Sequence, residues 1–102
     1  MTEATIFLNF QKAKQQADEL EQIAGDLSKL SSKSLNDVLQ NVSANWKGES
    51  ASQYLSKGSI LQEDLTETAK SLLDIASEIR TIAKRIYDAE MEALRIAQTR
   101  SY

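Results

Sequence analysis

Apolar residues recur along this chain at alternating steps of four and three, the spacing of one helix face. The first series runs Ile6, Phe10, Ala13, Ala17, Leu20, Ala24 and Leu27, with Ile23 and Leu30 widening it. Small residues dominate its middle. A polar stretch, Ser31 to Ser34, interrupts the series, which resumes with Leu35, Val38, Leu39, Val42 and Trp46. Serine is a mediocre helix former rather than a breaker, so the pattern predicts one helix over about 9–45 with a weak middle, a local bend around 31–36 being the main alternative. Gly25 weakens it by about 1 kcal/mol relative to Ala. Near the N-terminus Ile6, Leu8 and Phe10 also fit a period of two. Residues 1–8 therefore read equally as helix or as a short extended arm, with Asn9 a suitable N-cap in either case.

The second series is longer and more regular. It passes through Tyr54, Gly58, Leu61, Leu65, Thr68, Leu72, Ile75, Ile79, Ile82, Ile86, Ala89, Ala93 and Ile96, about six heptads of mainly apolar positions. Beside it runs a second row, Ala69, Leu73, Ala76, Ala83, Tyr87, Leu94 and Ala97. An apolar face of this width suits a bundle, where each helix touches two others, better than a two-stranded seam.

Between the two series lies Asn45-Trp46-Lys47-Gly48-Glu49-Ser50. Gly48 suits the left-handed conformation that ends a helix. Ser50 with Gln53 has the spacing of a capping box for the next one. The prediction is a turn over 46–49 and a second helix over about 50–98, roughly 70 Å long at 1.5 Å per residue. So short a connection makes the helices antiparallel neighbours. The expected fold is an all-α, antiparallel two-helix hairpin forming a single domain over residues 1–102.

Such a hairpin hides one row per helix and leaves the other to solvent, and long exposed apolar rows mark protein–protein surfaces. Leu61, Leu65, Leu72, Ile75, Ile79, Ile82 and Ile86 are the expected partner interface. They would pair the chain with itself or with a related chain into a four-helix bundle.

Composition removes chemistry more than it adds any. In 102 residues there is no His, Cys or Pro and only 3 Gly, where roughly five Pro and seven Gly are usual. Without thiols or imidazoles there is no disulfide, no thiol nucleophile, no Cys/His metal site and no base that titrates near neutrality. The acid pairs Glu63/Glu67, Asp74/Glu78 and Asp88/Glu92 stand one turn apart. A bundle di-metal site also calls for Glu-x-x-His, so they read as solvated surface, and neither a metal nor any other cofactor is expected. The Ser, Thr and Lys residues have no base or oxyanion arrangement beside them. The expectation is a protein that is not an enzyme.

Charge points the same way. The balance of 12 Lys/Arg against 15 Asp/Glu gives −3. The bases are scattered, with no stripe for nucleic acid and no basic helix face for a membrane surface. Arg80, Lys84 and Arg85 form one small cluster suited to an acidic partner, although Lys84 also faces Asp88 at i,i+4. No apolar run reaches the 18 residues of a membrane span. The first residues lack the basic region of a signal peptide, so the chain is expected to stay in the cytoplasm or to leave by a route that needs none.

Trp46-Lys47-Gly48 at the tip of a helical hairpin of this length, with Tyr54 eight residues after the Trp, resembles the Trp-x-Gly (WXG) family of type VII secretion substrates, over about residues 6–98. The resemblance implies an antiparallel hairpin that pairs as a homodimer or heterodimer. It implies export from Gram-positive and related bacteria by an ATPase-driven machine, often beside larger toxins. Trp46, Gly48 and Tyr54 would then form a recognition groove for a partner's C-terminal segment, whereas on packing grounds alone Trp46 is a plug at the bundle tip. The family's export signal is Tyr-x-x-x-Asp/Glu near the end of the second helix. Here Tyr87 and Asp88 are followed by Met91 where the acid belongs, and Glu92 comes one residue late. That departure implies a degenerate signal at Tyr87, Asp88 and Glu92. It also brings in an alternative role, a dedicated adaptor for the N-terminal helical domain of a larger LXG-type toxin. A third reading, a generic coiled-coil scaffold, treats the tripeptide as coincidence.

Overall fold

A computed structural model describes residues 2–100. Three α-helices follow in order: α1 over Glu3–Lys29, α2 over Asn36–Asn45 and α3 over Glu49–Thr99. Six residues of π-helix, Leu30–Leu35, join α1 to α2 without a break. Together they make the two long arms of an all-α helical hairpin, and no strand occurs among the described residues.

The first helix starts earlier than the residue-9 boundary read from the sequence. The Thr2 hydroxyl accepts the Thr5 N–H at 3.2 Å and the Thr2 carbonyl accepts the Ile6 N–H at 3.0 Å. Thr2 is thus the N-cap, Glu3 lies in the first turn where the helix dipole favours an acid, and Asn9 is inside the helix. Packing settles what the period-two pattern left open. Ile6 is buried while Phe7 and Leu8 stay exposed, so the helical face through Ile6, Phe10 and Ala13 is the one turned inward.

The connection is shorter than expected. It comprises Trp46, Lys47 and Gly48, and α3 begins at Glu49 with the Gly48 carbonyl accepting the Ser52 N–H at 3.1 Å. Ser50 therefore lies within the first turn, past the position a capping box requires. Gly48 has φ +103°, and a Cβ there would meet nothing within 4 Å. The demand for glycine is one of backbone conformation, since L residues rarely adopt that φ, and not one of space.

The chain divides into two compact units, residues up to Glu21 with those from Asp74 onward, and Gln22–Leu73. In the first, Ile6, Ala17, Ala76 and Ala83 are buried. Phe10 stacks on Tyr87 with ring centres 4.7 Å apart, and Arg80 reaches Asp18 and Glu21. In the second, Ala24, Ser31, Leu39, Ala51 and Ala69 are buried. There Ser31 meets Gln62 and Thr66, and Trp46 meets Tyr54. In each unit a step forward along the first arm is matched by a step back along the second, which is the antiparallel arrangement.

Most buried positions are alanines at heptad spacing, Ala17 and Ala24 on one arm and Ala69, Ala76 and Ala83 on the other. Small side chains let helix backbones approach closely. At Gly58 an added Cβ would collide with the Leu39 side chain, itself 7 % exposed. Gly25 is a contrast, since a Cβ there would meet nothing within 4 Å. Gly25→Ala should stabilise the chain by about 0.5–1 kcal/mol through helix propensity alone. Gly58→Ala gains the same propensity but must displace an enclosed leucine, so its melting temperature should fall below that of the parent. Thermal melts followed by circular dichroism compare the two. A Gly58→Ala protein as stable as Gly25→Ala would refute the close approach.

The weak middle of the first series is where the π-helical turn Leu30–Leu35 lies. Ser31 is 3 % exposed and lies in a polar cluster. Its hydroxyl donates to the Gln62 carbonyl at 3.0 Å and is 3.0 Å from the Thr66 hydroxyl, and Gln62 Nε2 donates to the Ser31 carbonyl at 2.8 Å. No buried side-chain polar atom is left without a partner among the described residues, so the hydrogen bonds offset the cost of burying this polar interruption in an apolar seam.

Candidate protein-interaction site

At the tip, α2 ends at Asn45 and Trp46 turns extended, with φ −112° and ψ 143°. Its N–H still bonds the Val42 carbonyl at 2.9 Å, so the indole is fixed at its root although it has left the helix. The ring lies 6.3 Å from that of Tyr54, tilted by 45°. Trp46 is 59 % exposed and Tyr54 48 %. Asn45 Nδ2 bonds the Asn41 carbonyl at 2.9 Å, and Val38, Asn41, Val42, Asn45 and Trp46 line a shallow groove. The structure thus brings Trp46 and Tyr54 together as an open aromatic pair, while Gly48 contributes the reversal between their helices. Within the single chain, Trp46 fills no core.

The candidate interface on α3 divides by depth. Leu65, Leu72 and Ile79 are half-buried at the edge of the hairpin seam. Leu61 is 50 % exposed, Ile75 46 %, and Ile82 and Ile86 52 % each. Ala69, Ala76 and Ala83 turn inward, while Leu61, Ile75, Ile82 and Ile86, together with Leu73 of the alanine-containing row, are left to solvent. A leucine or isoleucine held half-exposed retains much of the roughly 1.5–3 kcal/mol that full burial supplies, and that remainder is available to a partner.

Near the end of α3 the proposed signal residues are all engaged. The Tyr87 ring is stacked on Phe10, and the Lys14 ammonium caps the Phe10 ring at 4.6 Å from its centre. Lys84 Nζ bonds Asp88 at 2.7 Å and sits 5.8 Å from the Tyr87 ring centre. Arg95 grips Glu92 with two bonds, at 3.0 and 2.5 Å. Met91, at the motif's acid position, is half-buried. The basic cluster is largely spent within the chain: Asp18 first and Glu21 second hold the Arg80 guanidinium above its ordinary pKa, and Lys84 pairs with Asp88. These cross-helix partners, Phe10 for Tyr87 and the two acids for Arg80, were not legible in the sequence, because period alone does not say which rungs face each other.

The Glu92 carboxyl titrates below its ordinary value of 4.5, because the Arg95 hydrogen bonds and charge favour the ionised form. A lowered folded-state pKa means that the pair is fully formed above the ordinary carboxylate range and is lost as pH falls through the lowered value. Carbon-detected NMR titration should place the Glu92 midpoint below 4.5, and Arg95→Ala should return it to the ordinary value. An unchanged midpoint in Arg95→Ala would break the assignment.

No three His, Cys, Asp or Glu side chains are grouped to hold a metal ion among the described residues, and no helix there is long and apolar enough to cross a membrane. An alanine-sealed hairpin with an open aromatic tip and exposed isoleucines defines a small all-α helical-hairpin protein. The family is equally plain. Residues 5–91 match the model of WXG100, described as proteins of 100 residues with WXG, and the chain belongs to that family. No curated protein and no solved structure matches it. Membership makes it a small protein associated with type VII secretion, in a family whose members typically associate as dimers. Trp46-Lys47-Gly48 is therefore the family's own motif rather than a coincidence in a generic coiled coil.

Proposed function

We propose that this chain is a non-enzymatic component of a type VII secretion system, a secreted substrate or co-secreted partner that works by helix–helix association. Its larger apolar side chains on α3, exposed or half-buried in the single chain, pack against a second hairpin, its own copy or a related chain, and complete a four-helix bundle. Leu61, Leu65 and Leu72 serve this in one unit and Ile75, Ile79, Ile82 and Ile86 in the other. The observation that carries the reading is the inversion of the seam. Alanines are turned inward while Ile75, Ile82 and Ile86 stand about half in solvent, the reverse of what a chain folding only for itself would favour.

Trp46, Gly48 and Tyr54 form the recognition element at the tip in this reading, and Tyr87, Asp88 and Glu92 a degenerate export signal read by the secretion ATPase. The route out is the type VII one, without a signal peptide. Met91 at the signal's acid position favours a second reading, an adaptor that remains with one large LXG-type toxin and accompanies or loads it. Sedimentation of the purified chain, beside affinity capture from its own host, separates the two. A concentration-dependent dimer, or a stoichiometric complex with another small helical chain, supports the first. Stoichiometric capture of one large helical toxin supports the second. A folded monomer that captures neither would overturn both.

A further inference from the structure

Within the unit Gln22–Leu73, the inward positions of the first arm are Ala24, Leu27, Ser31, Leu35, Leu39 and Val42. A regular heptad continued from Ala24, Leu27 and Ser31 would reach 34, 38 and 41. Those positions hold Ser34, Val38 and Asn41, and all three are exposed. Every inward residue after Ser31 is displaced by one, and the displacement coincides with the π-helical turn Leu30–Leu35. A π turn accommodates one extra residue in a helix and loosens the i→i−4 ladder where it does so. The Ser31 carbonyl lies in that turn and accepts a bond from Gln62 Nε2 on the opposite arm, at 2.8 Å.

We propose that the π-helical turn is a built-in phase corrector. It absorbs one residue of excess in the first arm, is held by the Ser31–Gln62–Thr66 cluster, and so delivers Leu39 to Gly58 and Trp46 to Tyr54. Without it, α2 would be rotated by one residue, about 100°, presenting Val38 in place of Leu39 and turning the Trp46 root away from Tyr54. The turn is thus a conformational device that aims the tip motif, and its action needs no partner.

The test is a deletion that would ordinarily wreck a helix. Removing exposed Lys33 from the full chain takes out the excess residue, so the π turn closes to regular α-helix with the same side chains inward. Its melting temperature should stay within about 4 °C of the parent, and the emission of Trp46, the single tryptophan, should be unchanged. Removing exposed Asp64 from α3, where there is no such turn, should shift melting by far more or abolish it. Gln62→Leu supplies an independent reading. It should lower the melting temperature of the parent, and by less than half as much in the Lys33 deletion, because the turn that the Gln62 bond holds is no longer there. Equal damage from the two deletions, equal tolerance of both, or a Gln62→Leu effect of the same size in both backgrounds would overturn the proposal.

Discussion

Replacing Ile82 and Ile86 together by Asp should weaken association of this chain with its partner hairpin by about a hundredfold or more and leave its helical content unchanged. Both side chains are 52 % exposed in the single chain, so the hairpin loses little by the exchange. In the proposed bundle they would be covered. Burying the exposed half of two isoleucines supplies on the order of 2 kcal/mol. Two carboxylates in their place must be dehydrated without a partner or leave the interface unformed, which costs at least as much again. A tenfold change in affinity corresponds to about 1.4 kcal/mol, so a hundredfold is the conservative figure. Sedimentation equilibrium, or titration calorimetry against the captured partner, measures it. Unchanged affinity with intact helicity would mean that association uses another face.

Ala76→Leu should act the other way, unfolding the hairpin from inside. Ala76 and Ala17 are both 0 % exposed, so a leucine at 76 has no space to enter without moving a helix. Overpacking of an enclosed site costs about 1–3 kcal/mol. For a chain of this size that corresponds to roughly 5–20 °C in melting temperature. Ala89→Leu, the same exchange at an exposed position of the same helix, is the control and should change melting by no more than about 2–4 °C, the usual reach of a neutral surface substitution. Equal effects at the two positions would show that the alanine seam is not tightly closed.

Much of the fold was legible beforehand because helical period is a local property. The series from Ile6 to Leu27 and from Tyr54 to Ile96, the absence of proline, and one glycine suited to positive φ were enough for two long helices and a reversal at Gly48. The tip motif could be read as well, since Trp46 and Tyr54 lie within one turn and the helix that follows. The Thr2 cap, the start of α3 at Glu49 ahead of Ser50, and the π turn are not legible in that period. The cap and the start of α3 rest on local bonds that a pattern of apolar positions does not mark, whereas the π turn is bonded to Gln62 and Thr66 on the other arm. A hint was present at the π turn: Leu35, Leu39 and Val42 stand one residue late for a heptad running through Ser31. Against a smooth helical pattern it looked like a weak middle.

Two rows on α3 were visible in the sequence, the alanine-containing row and the leucine–isoleucine row, and either satisfies the helical period. Period fixes where a side chain points about its own helix axis and is silent about the neighbour. The tertiary structure takes its seam from both rows. The first arm offers Ala13, Ala17 and Ala24, and small residues meeting small residues allow a close approach of two helices, so Ala69, Ala76 and Ala83 turn inward with Leu65, Leu72 and Ile79 half-buried beside them. Ile75, Ile82 and Ile86 are left outside, and so is Leu73 of the alanine-containing row. The sequence by itself determined that this protein is a helical hairpin with apolar side chains to spare; only the packing of one arm on the other determined which ones those are.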